Sequence, residues 1–353
     1  MDFELTEEQA ALREVSRGML AVSCPPQLVR SLAGAGRDTD DKLWQRGAEL
    51  GWIGLAVPEE DDGAGQGLVE LCLVAEELGR AAAPGAFLES ALIADALARR
   101  GYHPELVRAL AGGDLKASWA CHGSVTGSYD GEELVLTGRA TAVQAAAAAD
   151  WLVVMTASDR GRRLVLVDRA RASVEARRTL DETRRWYDVA LDGVRVGAAD
   201  VVTADEAEIQ WLTDACAVLI AADSVGVGER LLDMTVGYVK VREQFGRPLG
   251  SFQSVKHKVA DMLATLKGAR AATYYAAMAL DAGVADATAA ASVAKAFTAD
   301  GVAALAGEAL QAHGGIGFTW EHDLHLYLRR AKVNEMLYGA AAEHYERLVS
   351  LLE

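Results

Sequence analysis

The chain has 353 residues, 35 basic and 51 acidic side chains, a net charge of −16 and 51% hydrophobic composition. It is longer than one core usually supports, about 250–300 residues, so two or three domains are expected, and the composition excludes a disordered chain. The negative charge excludes nucleic acid and anionic membrane as partners, since both need clustered Lys and Arg.

The N-terminus, MDFELTEEQAALREV, is acidic and predicts a helix instead of a signal peptide. No apolar run reaches the roughly 20 residues needed to span a bilayer. Cys24, Cys72, Cys121 and Cys216 form no CxxC pair. They read as buried free thiols of a cytoplasmic protein, with no zinc site or disulfide framework.

Residues 1–112 read as a helical domain. Thr6 and Gln9 can form a capping box, followed by Leu12, Val15 and Met19 at helical spacing. The loop from Pro58 to Gly67 interrupts this region, and a second helical run passes through Val69, Leu73 and Leu78. Residues 113–205 read as a small antiparallel sheet domain. Asp130-Gly131 is a hairpin signal, Leu152 to Met155 and Leu164 to Val167 are strands, and Asp192-Gly193 reads as another turn. Residues 206–353 read as a bundle of four helices. Their stripes run through Leu219 to Val239, Val255 to Ala269, Ala287 to Ala312, and His325 to Leu352. Several are apolar on more than one side, which predicts burial against another subunit. No G-x-G-x-x-G turn or βαβ pattern is visible, so a doubly wound nucleotide fold is excluded.

Two motifs carry candidate chemistry. In the first, Arg242 and Arg247 flank a turn built from Phe245, Gly246, Pro248, Leu249 and Gly250, before Gln253. An arginine at a helix end facing such a turn suits a diphosphate, though a plain helix-to-helix turn has the same composition. In the second, Gln311 and His313 precede Gly314, Gly315 and Gly317. Glycines there allow close approach of backbone to a ligand, and also serve as an ordinary helix end.

The two motifs, in this order and about 65 residues apart, resemble the acyl-CoA dehydrogenase family. The similarity extends to Leu5-Thr6-Glu7-Glu8-Gln9, to Gly51-Trp52-Ile53-Gly54-Leu55 before Pro58-Glu59-Glu60, and to Gly315 through Arg330. The resemblance implies an α+β, mostly α fold: an N-terminal helical domain, a β-barrel-like middle domain and a C-terminal four-helix bundle. It implies FAD as cofactor, held between subunits, and an acyl-CoA thioester as substrate. By resemblance, Arg242, Phe245, Leu249, Gln253, Gln311, Gly314 and Gly315 hold the nucleotide part of a neighbour's FAD. The family reaction moves the α-proton to a Glu base and the β-hydride to the flavin.

The chain departs from the family twice. The two positions that supply the Glu base fall on Tyr338 and Cys216, leaving Glu335 and Asp214 as conceivable substitutes and no assigned catalytic residue. The loop that faces the flavin ring reads Ala117 to Ser124 without its motif, and Ala140 to Gln144 holds no aromatic residue. A chain that keeps the donated half of a site and loses its own half can complete a site on a different chain. The expectation is therefore a non-catalytic subunit in an α2β2 pair with a homologous acyl-CoA dehydrogenase subunit, as in actinobacterial members acting on steroid side-chain CoA thioesters. The alternatives are a self-sufficient homotetramer with an atypical base and a flavin-free scaffold. His322 and His325 are read as a helix start, not a metal site.

Overall fold

The computed structural model describes residues 4–203 and 205–352. Six helices come first: α1 (Glu7–Ser23), α2 (Pro26–Ala35), α3 (Asp41–Glu49), α4 (Leu68–Arg80), α5 (Phe87–Ala98) and α6 (Pro104–Ala111). α1 starts where the capping box predicts: the Gln9 amide donates to Thr6 Oγ1 and the Thr6 amide to Gln9 Oε1, at 3.2 and 3.0 Å. α4 and α5 are buried along almost their whole length, which is why their sequences are apolar all round.

Eight strands follow: β1 (Ala117–Ala120), β2 (Gly123–Asp130), β3 (Glu133–Gln144), β4 (Trp151–Ser158), β5 (Gly161–Asp168), β6 (Ser173–Arg177), β7 (Trp186–Val196) and β8 (Val201–Thr203). They form one sheet in the order β6-β7-β3-β2-β4-β5-β8, with β1 also paired to β4. The sheet is mixed, not antiparallel as expected, because β1 and β2 both run parallel to β4. Alternation along β4 and β5 divides their side chains between two cores. Leu152, Val154, Val165 and Val167 fill the sheet's own core, whereas Val153, Leu164 and Leu166 join the helical core.

The Asp130-Gly131 hairpin is present between β2 and β3. Asp192-Gly193 is not a turn: β7 runs straight through it. Gly193 takes φ +64° where the pairing with β3 slips between Leu136 and Thr137, so the left-handed glycine makes a bulge.

The last part holds α7 (Glu206–Val241), α8 (Gln253–Ala282), α9 (Ala287–His313), α10 (Leu324–Asn334) and α11 (Ala341–Leu352), plus a short hairpin of β9 (Glu243–Gln244) and β10 (Arg247–Pro248). The fourth predicted helix is thus two helices, broken at 335–340. Tyr338 (φ +56°) and Gly339 (φ +103°) make the break. Lys295 Nζ pins it by donating to the Glu335 and Gly339 carbonyls at 3.1 and 2.7 Å. α9, with the residues that follow it to Phe318, is long and apolar enough by composition to cross a membrane, but 67% of its apolar window is buried inside the fold.

α4 and α7 cross with their backbones in contact. A Cβ on Gly79 would lie 1.9 Å from the Asp223 carbonyl oxygen, and one on Gly226 would lie 1.7 Å from that of Glu76. Only glycine fits at either side of this crossing.

Beside it lies a buried charged cluster. Arg184 and Arg330 face Asp181 and Asp223 at 3.2–3.9 Å. Asn334 donates to Asp223 Oδ1 at 2.6 Å and accepts from Arg184. Two arginines against two aspartates leave the cluster neutral, which is what allows it to be buried.

Candidate functional site

α7 ends at Arg242, whose amide donates to the Tyr238 carbonyl and whose own carbonyl accepts from Leu249 at 2.8 Å. The chain then turns tightly through Phe245 (φ +55°) and Gly246 (φ +74°), the two-residue turn that joins β9 to β10. α9 ends at Gly314, whose φ of +61° and ψ of −140° suit glycine alone.

These two chain turns face one groove of about 710 Å³. Five of the seven residues expected from the sequence line it: Arg242, Leu249, Gln311, Gly314 and Gly315. The other two do not. Gln253 opens α8 in an exposed position, and Phe245 is 92% exposed. A bulky residue in the left-handed region costs on the order of 1 kcal/mol or more, and here it holds an aromatic ring in solvent. The ring lies edge-on to Phe252, over which the Arg247 guanidinium sits at 4.1 Å.

Sequence reasoning did not single out Tyr238 or Lys258, and His313 appeared only as a member of the glycine motif without a role of its own. Tyr238 stacks on His313 at 4.6 Å. His313 Nδ1 binds the Ala309 carbonyl at 2.8 Å, and its Nε2 is buried without a partner. Burial lowers the His313 pKa, favouring the neutral ring. The groove thus offers a guanidinium, an amide side chain, an unpartnered ring nitrogen and two glycines with open space where a Cβ would be. The guanidinium, the amide and the open backbone at the glycines fit the diphosphate of FAD, while neutral His313 presents Nε2 as an acceptor.

The inner site differs. Tyr338 and Cys216, at the two positions where the resemblance led us to expect a base, line one cavity with Glu89, Trp119 and Gln144. Its volume is about 30 Å³, room for two or three small atoms or waters, far less than a three-ring flavin. The Tyr338 hydroxyl faces the Cys216 thiol. Burial pushes both groups well above their ordinary values, so both stay protonated and neither is a base at neutral pH. β1 passes into β2 through Cys121 and His122 alone, leaving no length for a flavin-facing loop. The bulge in β3, with Ala142 at φ +53°, lies where the aromatic residue is missing. These residues do not fit an isoalloxazine ring.

The substitute bases fare no better. Asp214 accepts from Arg347 at 2.6 and 3.1 Å and from Gln210 and Thr288. Glu335 pairs with Lys332 at 2.6 Å. Neither lines the cavity. Glu89 does: its Oε2 is buried without a partner, and burial raises its pKa to about 7. Nothing in the local sequence marks Glu89, which reaches the cavity only because α5 packs there.

Residues 6–105 match the acyl-CoA dehydrogenase N-terminal domain and residues 207–349 the acyl-CoA dehydrogenase C-terminal domain. The chain is 34% identical over 345 residues to the acyl-CoA dehydrogenase IpdE2 of Mycolicibacterium smegmatis, covering 98% of each chain. It superposes with a TM-score of 0.94 on a chain of the ChsE4-ChsE5 complex from Mycobacterium tuberculosis, at 30% identity over 100% of this chain and 99% of that one. The corresponding figures for the Tcur3481-Tcur3483 steroid ACAD are 0.91 and 30%, over 98% of each chain. With both terminal domains matched and a relative of nearly equal length aligned end to end, this chain belongs to the acyl-CoA dehydrogenase family.

Proposed function

We propose that this chain is the non-catalytic subunit of an α2β2 acyl-CoA dehydrogenase, completing the FAD site of a homologous catalytic subunit. The observation that carries the reading is the contrast between its two half-sites. The outer groove retains Arg242, Gln311, Gly314 and Gly315 in one place. In the inner cavity, the two positions that the resemblance gives to the base are Tyr338 and Cys216, neither of them a carboxylate. The likeness to chains of two-protein complexes supports a hetero-oligomer, and the likeness to the Tcur3481-Tcur3483 steroid ACAD supports a steroid-derived acyl thioester.

In this reading the chain divides at 1–112, 113–205 and 206–353. Bound FAD would supply the hydride acceptor for α,β-desaturation. This chain's part is to grip the nucleotide: Arg242 by charge-assisted hydrogen bonds to the diphosphate, Gln311 and the Gly314–Gly315 backbone by close approach. Leu249, which lines the groove, packs beside the nucleotide, and exposed Phe245 and Gln253 reach the catalytic subunit beside that grip. Exposed Val241, Phe245, Phe318 and Trp320 supply apolar area for the interface.

The test is Arg242→Ala in the co-purified complex. Loss of a charge-assisted contact of about 1.5–3 kcal/mol predicts flavin retention weaker by roughly tenfold or more. Unchanged flavin occupancy would remove the diphosphate role.

A further inference from the structure

A further pocket lies where the α1–α2 turn meets α4, α7 and α10. It shares no lining residue with the groove or the inner cavity. Its volume is about 250 Å³, room for a small organic molecule instead of a lone water. Arg17, Glu77, Arg80, Arg230 and Tyr327 form one part of its wall, and Leu20, Pro25 and Pro26 another. The three guanidiniums converge. Arg17 and Arg80 both reach Glu229, at 3.4 and 3.5 Å. A Cβ on Gly226 would lie 2.8 Å from the Arg80 amide nitrogen, and Arg230 stands one helical turn on, on the same face of α7. The Arg230 guanidinium lies 6.0 Å from the centre of the Tyr327 ring.

The charges on this wall are uneven. Arg17 holds Glu77 through Nε and Nη2 at 2.9 and 2.7 Å. Arg80 Nη2 holds Asp233 at 2.7 Å, while its Nη1 is buried and makes no hydrogen bond. Arg230 forms no ion pair among the described residues and faces Tyr327 instead. With Arg270, four arginines meet four carboxylates in this network, but Glu76, Glu229 and Asp233 lie outside the pocket. The wall itself carries three guanidiniums and one carboxylate. It repels a cation, and water brings no charge to match the excess. Burial keeps the Tyr327 phenol and the Cys24 thiol protonated, so neither adds a negative charge and Tyr327 adds a donor. Inorganic phosphate needs donors on every side, which Leu20, Pro25 and Pro26 do not supply. A carboxylate on a short apolar chain meets both parts of the wall, with charge-assisted hydrogen bonds at one end and apolar burial at the other.

We infer that this pocket binds a small organic monocarboxylate. Its carboxylate meets Arg80, Arg230 and Tyr327, and its apolar part packs against Leu20, Pro25 and Pro26. Arg17 stays with Glu77 and holds that carboxylate away from the ligand. The site uses neither flavin nor the nucleotide groove, so it stands or falls separately from the subunit assignment.

The probe is butyrate, titrated calorimetrically into the purified full chain and soaked into its crystals. Butyramide is the neutral control of the same size, and inorganic phosphate is the anion without an apolar part. Butyrate is expected to bind about tenfold more tightly than either control, with its carboxylate toward Arg230 in the crystal. Arg230→Met, which keeps the length and removes the charge, should weaken butyrate binding by about tenfold or more. Butyramide or phosphate binding as tightly as butyrate would overturn the proposal. So would an unchanged butyrate titration in Arg230→Met, or butyrate seated elsewhere in the crystal with this pocket empty.

Discussion

The imidazole of His122 lies 5.3 Å from the phenol of Tyr338, ring centre to ring centre, at 49°. His122 stands in the shortened connection between β1 and β2, and Tyr338 in the break between α10 and α11. The two departures from the family therefore meet in space. Burial keeps the His122 ring neutral and the Tyr338 phenol protonated. In the proposed reading, two uncharged rings occupy the region where the catalytic subunit would carry a carboxylate and a flavin.

Tyr338 should accordingly be dispensable for chemistry. In the co-purified complex, Tyr338→Phe is expected to leave kcat within about twofold, since no proton passes through its hydroxyl. A loss of a hundredfold or more in steady-state turnover would assign the hydroxyl a direct part.

Phe245 couples strain to assembly. Phe245→Gly relieves a left-handed aromatic residue and should stabilise the isolated chain by about 1 kcal/mol in thermal unfolding. The same change removes exposed apolar area at the proposed interface, so subunit association measured by sedimentation should weaken. A variant that associates as tightly as the parent would show that Phe245 has no contact there.

Glu89 gives a pH dependence with a definite sign. Its pKa rises from the ordinary 4.5 to about 7 on folding, driven by burial and helped by Asp223, against a backbone hydrogen bond from its own amide and the nearby Arg184 and Arg330. The folded state binds the proton more tightly, so this group's contribution is fully present below about pH 4.5 and lost as pH rises through 7. The whole shift corresponds to about 3 kcal/mol. Glu89→Gln should therefore gain stability relative to the parent at pH 8 and lose that advantage near pH 5, in paired denaturant titrations. A constant difference across that range would contradict the assignment.

The α4–α7 crossing is predicted to be intolerant. Gly226→Ala drives a methyl group into the Glu76 carbonyl, a 1.7 Å approach, and only a backbone shift relieves it. Overpacking of this kind costs typically about 1–3 kcal/mol and more where backbone must move. A melting temperature equal to the parent's would show that the helices separate freely.

Much of this was legible in the sequence because it is local. The Thr6–Gln9 cap, the Asp130-Gly131 hairpin and the glycine end of α9 depend on neighbours a few residues away. Arg242 and Gln311 were legible for another reason: their motifs carry a family resemblance, and the fold then brings them to one groove. Asp192-Gly193 misled because the same dipeptide serves a turn or a bulge, and the pairing of β7 with β3 decides which. The break before α11 was hidden because Lys295, on another helix, holds it. Glu89 was hidden for the same kind of reason, its burial being set by packing and not by spacing.

The most direct test is the flavin spectrum and mass of this chain purified alone and co-purified with a homologous acyl-CoA dehydrogenase subunit. The account predicts a colourless chain alone, and flavin bound and active only in the mixed assembly. A yellow, active homomer would contradict it.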